Sequence, residues 1–188
     1  MNITETALDG VVIIEPSRFV DQRGWFSVVY SDNEFSENVL PVQFVQDNES
    51  FSHYGVVRGL HYQLPPFAQG KLVRVTEGTV LDVAVDIRRG SPTFGKHIAV
   101  ELSAENNRQL FIPRGFAHGF AVLCTTAKVQ YKCDNHYAPQ CERGIIWNDP
   151  ELAIDWGIAR EVAVVSGKDA ASPVFARAEL FEYDDKPY

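Results

Sequence analysis

The chain has 188 residues, 45% of them hydrophobic and 12% aromatic, which is long enough for one well-filled core and short for two. A formal net charge of -8 argues against a broad electrostatic surface for nucleic acid or an anionic membrane, although a few arginines could still bind one phosphorylated small molecule. We therefore expect a single domain over residues 1–188 whose partner is small.

The predicted secondary structure consists mostly of short strands. Residues 31–38 are predicted as a short helix, and Ser172 followed by Pro173 is typical of a helix start, which predicts a second helix through residue 180. Strands are predicted at residues 42–46, 57–63, 71–76, 80–87, 97–102, 109–112, 119–123 and 127–131. The Gly- and Pro-containing turns between them indicate an antiparallel sandwich or barrel.

Strand alternation predicts that two polar side chains point into this barrel. Lys71 falls on the same face of its strand as Val73 and Val75. Tyr131 falls on the same face as Val129, which places a phenol in a mostly apolar interior. An ammonium at an inward position needs a functional or structural reason.

Strand alternation also decides which face two further pairs of polar side chains take. Gln46 and Asn48 share one face. Arg58 and His61 have opposite parity, so both can line one cavity only if Gly59 bulges the strand or His61 lies at its end. Parity leaves both possibilities open.

His61 and Lys71 lie on neighbouring stretches of this β-rich chain and suggest carbanion chemistry. An imidazole accepts a proton near neutrality. A fixed ammonium can stabilise the negative oxygen that forms when a proton leaves the carbon beside a ketone.

A turn of the Pro-x-Gly type at residues 113–115 leads His118 into the next strand, a pattern that resembles the second motif of the cupin barrels. A metal-binding cupin would also have a His-x-His pair followed by Glu in its first motif, whereas Tyr62 and Gln63 follow His61. We therefore expect no bound metal.

The expected compartment is the cytoplasm. No apolar run approaches the roughly 20 residues of a membrane span, and residues 1–10 do not resemble a signal peptide. Cys124, Cys133 and Cys141 are odd in number and lack metal-binding spacing, which fits reduced thiols better than a disulfide framework.

Four motifs resemble those of the dTDP-4-dehydrorhamnose 3,5-epimerase family, cofactor-independent cupin enzymes of the dTDP-rhamnose pathway. They lie at residues 21–26, 44–50, 58–63 with 69–74, and 111–120, and further matching pieces lie at 82–88, 131–132, 147–150 and 166–169. The resemblance spans nearly the whole chain. It implies a mainly β jelly-roll barrel (an antiparallel double-stranded β-helix) with a few short helices, and an isomerase that uses no cofactor on a dTDP-linked 4-keto-6-deoxy sugar.

The resemblance implies four catalytic residues. His61 would be the base, oriented by Asp169, and Lys71 would stabilise the enolate at the oxygen on carbon 4 of the sugar. Tyr131 would return a proton from the opposite side. A base on one face and an acid on the other invert the carbon between them.

The resemblance also implies the nucleotide contacts. Arg23 and Arg58 would bind the diphosphate, and Phe26 and Tyr137 would flank the thymine. Four further polar contacts would come from Gln46, Asn48, His118 and Glu142. Each of these four could instead be a polar group that only stabilises the barrel. In the family, the segment with Arg23 and Phe26 completes the neighbouring subunit's site, so a homodimer is implied.

One departure from the family pattern leaves alternatives open. Val28 stands where the family commonly has Glu, a carboxylate acceptor for a pyrimidine N–H. A 3-epimerase alone or a sugar-nucleotide ketoisomerase of the same superfamily therefore remains possible. A cupin that only binds a nucleotide sugar is a third class, and the presence of a base, a cation and an acid argues against it.

Overall fold

The computed structural model describes residues 1–184 and residue 188. Within these residues the strands are β1 (Asn2–Glu5), β2 (Val12–Glu15), β3 (Phe19–Asp21), β4 (Gly24–Phe26), β5 (Gln46–His53), β6 (Val57–Gln63), β7 (Lys71–Glu77), β8 (Thr79–Asp86), β9 (Arg88–Arg89), β10 (His97–Ser103), β11 (Gln109–Ile112), β12 (Phe116–Val122), β13 (Thr126–Cys133), β14 (Glu142–Gly144) and β15 (Phe181–Glu182). The helices described are α1 (Asp32–Asn38) and α2 (Gly167–Ala170), with 3-10 turns at Pro139–Cys141, Arg160–Val162 and Phe175–Arg177. None of the described helices is long and apolar enough to cross a membrane.

Two antiparallel sheets form the body of the fold. The larger sheet has the strand order β1-β2-β11-β7-β13-β5, and the smaller has the order β10-β8-β12-β6-β14. Two short additions complete the described strands: the hairpin of β3 with β4, and the parallel pair of β9 with β15. The predicted mainly β, antiparallel barrel architecture is confirmed.

The interior between the two sheets is apolar over much of its length. Val73 and Val129 come from the larger sheet, and Ala84, Phe116 and Phe120 come from the smaller one, all buried in a single cluster. Because side chains alternate along a strand, each of these strands also sends residues to an outer face. Helices and loops cover part of those outer faces.

Covering segments lie on part of each outer face. Helix α1 lays Phe35 on the larger sheet, where its ring centroid lies 5.1 Å from that of Phe111. The C-terminal part of the chain packs Trp156, Phe175 and Phe181 against the outer face of the smaller sheet. The inside of the barrel is therefore the place where the inward polar residues meet.

The predicted strand at residues 42–46 is wrong. Phe44 packs against Phe35 with ring centroids 5.3 Å apart, and Val42 joins the same cluster. Val42 and Phe44 thus pack against helix α1 instead of forming a strand. The strand begins at Gln46 instead, where alternating exposure marks one covered face.

The predicted helix at residues 172–180 is also wrong, apart from the 3-10 turn at Phe175–Arg177. The backbone groups of this stretch bind other loops, because Phe175 N donates to Asp149 Oδ2 at 2.7 Å and Ile146 N donates to the carbonyl of Pro173 at 2.9 Å. The remaining predicted strands and the first helix are observed, with ends that differ by up to three residues.

Candidate active site

The predicted inward positions of Lys71 and Tyr131 are confirmed. Both line a cavity of about 280 Å³ at one end of the barrel interior. The Lys71 Nζ lies 5.8 Å from the centre of the Tyr131 ring. The other residues lining this cavity are Gln46, Asn48, His61, Tyr62, Gln63, Gln69, Cys133, Tyr137 and Glu142.

An irregularity in β6 brings Arg58 and His61 to the same side. His61 pairs with His118 of β12 and Arg58 pairs with Phe120, so three steps along β6 match two steps along β12. Gly59 lies inside this irregular stretch with φ of +128°, a region that favours glycine. Of the two possibilities left open by parity, the bulge at Gly59 is the one observed.

Asp169 is the hydrogen-bond partner of His61. The Asp169 Oδ1 lies 2.7 Å from His61 Nε2, and the Gly59 amide donates to Asp169 Oδ2 at 3.2 Å. Burial alone would raise the pKa of the Asp169 carboxyl, but the hydrogen bonds from His61 and Gly59 hold that pKa below its usual range. Asp169 is therefore an anion that fixes the orientation of the His61 ring.

Helix α2 positions this carboxylate. Ser166 caps the helix, because its Oγ accepts from the Asp169 backbone N–H at 3.1 Å. Asp169 is only 4% exposed. Its carboxylate is directed toward β6, where it contacts His61 and the Gly59 amide.

Burial shifts the pKa values of Lys71 and Tyr131 in opposite directions. Burial lowers the pKa of the Lys71 ammonium, although the nearby Asp82 and Glu142 partly oppose this. Burial also raises the pKa of the Tyr131 phenol, which keeps it protonated and able to donate a proton. The cavity thus contains a cation that titrates below the usual lysine range and a phenol that remains an acid.

His118 has a buried carboxylate partner that the sequence analysis missed. Its Nε2 lies 3.1 and 3.0 Å from the two oxygens of Asp82, which is fully buried. Burial lowers the pKa of the His118 imidazole, although Asp82 opposes the shift. The sequence could have indicated this pair, because an Asp at an inward position of an apolar strand needs a partner.

Glu142 lies where two cavities meet. It accepts a 2.7 Å hydrogen bond from the Tyr137 hydroxyl and forms a 2.6 Å ion pair with Lys168. The second cavity, of about 390 Å³, is lined by both Glu142 and His61 together with Arg58, Lys168 and Asp169. Lys168 was missed as a site residue although it directly precedes Asp169.

Arg58 and Lys168 give the second cavity two cations, which suits an anionic group of a ligand. The Arg58 Nε donates to the Ser52 hydroxyl at 3.1 Å. In the first cavity, the Gln46 amide donates to Asn48 Oδ1 at 2.9 Å. The predicted polar residues of β5 and β6 therefore converge on the two cavities.

Within one chain, Arg23 and Phe26 lie apart from the other predicted site residues and line neither cavity. Both belong to the exposed hairpin of β3 and β4, and the Arg23 guanidinium pairs with Asp21 at 2.6 Å. Phe26 is 65% exposed.

Among the described residues, no three His, Cys, Asp or Glu side chains are grouped closely enough to hold a metal ion.

Residues 5–177 match the protein family described as dTDP-4-dehydrorhamnose 3,5-epimerase. The chain is 52% identical over 182 residues to the dTDP-4-dehydrorhamnose 3,5-epimerase of Pseudomonas aeruginosa, an alignment that covers 96% of this chain and 99% of the relative. It also resembles the crystal structure of a 3,5-epimerase from Legionella pneumophila in complex with dTDP-4-keto-L-rhamnose, with a TM-score of 0.93, 47% identity and coverage of 97% and 98%. A 3'-monoepimerase from Streptomyces bikiniensis in complex with dTDP matches less well, with a TM-score of 0.87, 32% identity and coverage of 95% and 92%.

Proposed function

The chain belongs to the dTDP-4-dehydrorhamnose 3,5-epimerase family, and from this premise we propose how its own residues act. It is an isomerase that converts dTDP-4-dehydro-6-deoxy-D-glucose to dTDP-4-dehydro-L-rhamnose by epimerisation at carbons 3 and 5. One observation carries the mechanism. His61, paired with Asp169, and Tyr131 face one cavity from different sheets, and Lys71 lines that cavity from the same sheet as Tyr131.

His61 is the proposed base. Its ring, held by Asp169, removes a proton from carbon 3 or carbon 5, and both carbons are acidic because they flank the 4-keto group. The electrons move to the oxygen on carbon 4. The Lys71 ammonium stabilises the enolate charge that forms there.

Tyr131 is the proposed acid. It gives a proton to the same carbon from the opposite face, which inverts the configuration and collapses the enolate to the ketone. Afterwards His61 loses its proton to solvent and the Tyr131 phenolate gains one, so the enzyme returns to its starting state. Every proton moves between the substrate, the side chains and solvent, and we propose that the reaction uses no cofactor.

The residues that contact the nucleotide part of the substrate are also proposed from the family membership. We propose that Arg58 binds the diphosphate together with Arg23 of a second copy, and that Phe26 and Tyr137 flank the thymine. Polar contacts come from the cavity-lining residues Gln46, Asn48 and Glu142. For His118, the buried pair with Asp82 favours the alternative role of a group that stabilises the barrel.

A homodimer is part of this proposal. The hairpin with Arg23 and Phe26 exposes Phe19, Val20 and Trp25 as well, and it lies apart from the two cavities of its own chain. These facts support the idea that the hairpin completes the site of a second copy. We also propose one domain over residues 1–188 and a cytoplasmic location, which the three free cysteines support.

The test is conversion of dTDP-4-dehydro-6-deoxy-D-glucose by the purified protein, with the product followed by proton NMR. We expect His61→Ala and Asp169→Asn to lose most of the turnover while the exposed-surface control Arg160→Ala keeps it. Because a positioned base contributes roughly a hundred- to ten-thousandfold in rate, the His61→Ala loss should be in that range. Full turnover by His61→Ala would contradict the assignment, and inversion at carbon 3 alone would support a monoepimerase.

A further inference from the structure

The hairpin of β3 and β4, here called the arm (residues 19–26), makes few contacts that would hold it in one direction. Its six strand residues are all exposed, and its strands pair only with each other among the described residues. An isolated two-stranded hairpin is marginally stable in water. Contacts outside the hairpin must therefore determine its direction.

Arg18 makes such a contact at the start of the arm. Its Nη1 donates to the carbonyl of Glu105 and its Nη2 donates to the carbonyl of Ala104, each at 2.7 Å. The same guanidinium lies 4.4 Å from the centre of the Trp25 ring. Arg18 therefore joins the body of the subunit to the second strand of the arm.

A second contact holds the chain where it returns from the arm. The side-chain amide of Gln109 donates to the carbonyl of Val29 at 2.8 Å. Gln109 is almost fully buried in β11, and Ala104 and Glu105 lie in the turn before that strand. Both ends of the arm are thus fastened to one segment, residues 104–109.

We propose that Arg18 is a positioning residue that sets the direction in which the arm reaches the site of a second copy of this chain. This inference rests on the proposed function, in which the arm brings Arg23 and Phe26 into the site of that second copy. A loose arm would have to be ordered each time substrate binds, and this entropy cost would weaken binding.

The chemistry of the contact requires arginine. A planar guanidinium can donate to two carbonyls at once and still stack on an indole ring. A lysine ammonium is a compact charge on a flexible stem and cannot do all three. Arg18→Lys should therefore behave like Arg18→Ala rather than like the unaltered protein.

The first experiment compares the steady-state kinetics of Arg18→Ala with those of Arg160→Ala, an exposed arginine that lies outside the arm and lines neither cavity. We expect Arg18→Ala to raise KM about tenfold, because ordering is lost, with a smaller change in kcat. Arg160→Ala should change neither. An unchanged KM, or a fall confined to kcat, would overturn the inference.

Co-expression then tests whether the effect acts between subunits. In a mixed dimer of Arg18→Ala with His61→Ala, the intact catalytic site of the first subunit receives the intact arm of the second. We expect that site to regain the unaltered KM. The matched control pairs Arg18→Ala with the double variant Arg18→Ala/His61→Ala, which has a loose arm and should restore nothing.

A third mixture separates this inference from the proposed function. Arg23→Ala co-expressed with His61→Ala should regain activity if the arm works in the second copy at all. If this pair recovers and the Arg18→Ala pair does not, only the inference about Arg18 fails. If neither recovers, the arm does not act in a second copy and the proposed function itself is contradicted.

Should Arg18→Ala not fold, Trp25→Leu provides the second variant. It removes the ring that stacks on the guanidinium and keeps an apolar side chain in the arm. We expect a smaller rise in KM in the same direction, relieved by the same His61→Ala partner. An unaltered KM in Trp25→Leu would count against the role of the stacking contact.

Discussion

At the scale of single residues, the same burial prepares two side chains for different tasks. Transfer out of water penalises the charged form of any group. It therefore lowers the pKa of the Lys71 ammonium and raises the pKa of the Tyr131 phenol. The Lys71 ammonium therefore gives up its proton more readily than a lysine in water, and the Tyr131 phenol stays a proton donor at neutral pH.

Tyr131→Phe should separate proton removal from inversion. His61 and Asp169 remain, so the proton beside the ketone is still removed, but the donor on the opposite face is gone. We expect solvent deuterium to enter the substrate with the original configuration kept, and the epimerised product to form at least a hundredfold more slowly. Proton NMR in deuterated buffer measures both. Inversion at the normal rate would show that another group is the acid.

The pH dependence of kcat should report the Lys71 ammonium on its alkaline side. Because burial lowers its pKa, the ammonium loses its proton below the ordinary value of 10.5, and activity should fall as pH rises through the lowered value. The raised pKa of Tyr131 places its own loss of a proton at higher pH. Lys71→Arg should reduce kcat and move its alkaline fall to higher pH, because a guanidinium stays charged up to about pH 12. An alkaline limb that Lys71→Arg does not move would contradict this role.

Strand parity was enough to predict the inward positions of Lys71 and Tyr131, because the side-chain period of a strand is two. It could not predict that Asp169 meets His61, since the two are 108 residues apart and no local pattern links them. Only the resemblance implied that pairing. The ion pair of Lys168 with Glu142 was missed for the same reason.

At the scale of elements, the bulge in β6 is what places the proposed site residues Arg58 and His61 on one face. A regular strand would send Arg58 and His61 to opposite sides of the sheet. The extra residue in β6 corrects this, and the close approach of Gly59 to Gly119 leaves no room for a side chain there. The sequence left a bulge at Gly59 and a strand end at His61 as alternatives and could not decide between them.

Gly59→Ala should therefore damage both stability and catalysis. A Cβ at this position would lie 2.6 Å from Gly119 Cα and 2.8 Å from the His118 carbonyl, with a backbone φ that disfavours alanine. We expect a loss of more than about 2 kcal/mol in unfolding free energy and a fall in kcat, measured by urea denaturation and by turnover. Gly167→Ala is the matched control, since its Cβ would meet nothing within 4 Å. Equal behaviour of the two variants would contradict the role of the bulge.

Local patterns misplaced two elements because tertiary contacts overrode them. Residues 42–46 looked like a strand, yet Val42 and Phe44 pack in the cluster around Phe35 of helix α1. Ser172 and Pro173 looked like a helix start, yet the carboxylate of Asp149 binds the backbone of the next residues. The helix that matters for the site begins instead after Ser166.

At the scale of the whole molecule, the barrel interior combines an apolar region with a polar end. The apolar cluster includes Val73 and Val129, and the same strands continue to Lys71 and Tyr131 at the cavity. Alternating short strands and turn residues were sufficient to predict this architecture, because they reflect burial on one face. The order of the strands in each sheet depends on contacts between distant segments and was not predictable from local patterns.

The stability of the molecule should fall in acid through buried carboxylates. The pKa of Asp86 is lowered below its ordinary value of 3.8, because hydrogen bonds from Arg88, Ser91 and Thr93 outweigh the effect of burial. The unfolded chain therefore takes up this proton first, so the stabilisation is present above about pH 4 and is lost as pH falls further. Urea unfolding from about pH 3 to 6 should show this loss, with a shallower pH dependence in Asp86→Asn. An identical pH dependence in the variant would contradict the role of Asp86.

The central claim is that His61 removes protons from two carbons of one nucleotide sugar. The most direct measurement is proton NMR of dTDP-4-dehydro-6-deoxy-D-glucose in deuterated buffer with the purified protein and with His61→Ala. The account predicts loss of both the carbon 3 and carbon 5 proton signals with the unaltered protein and at least a hundredfold slower loss with the variant. Loss at neither carbon, or equally fast loss with His61→Ala, would contradict it.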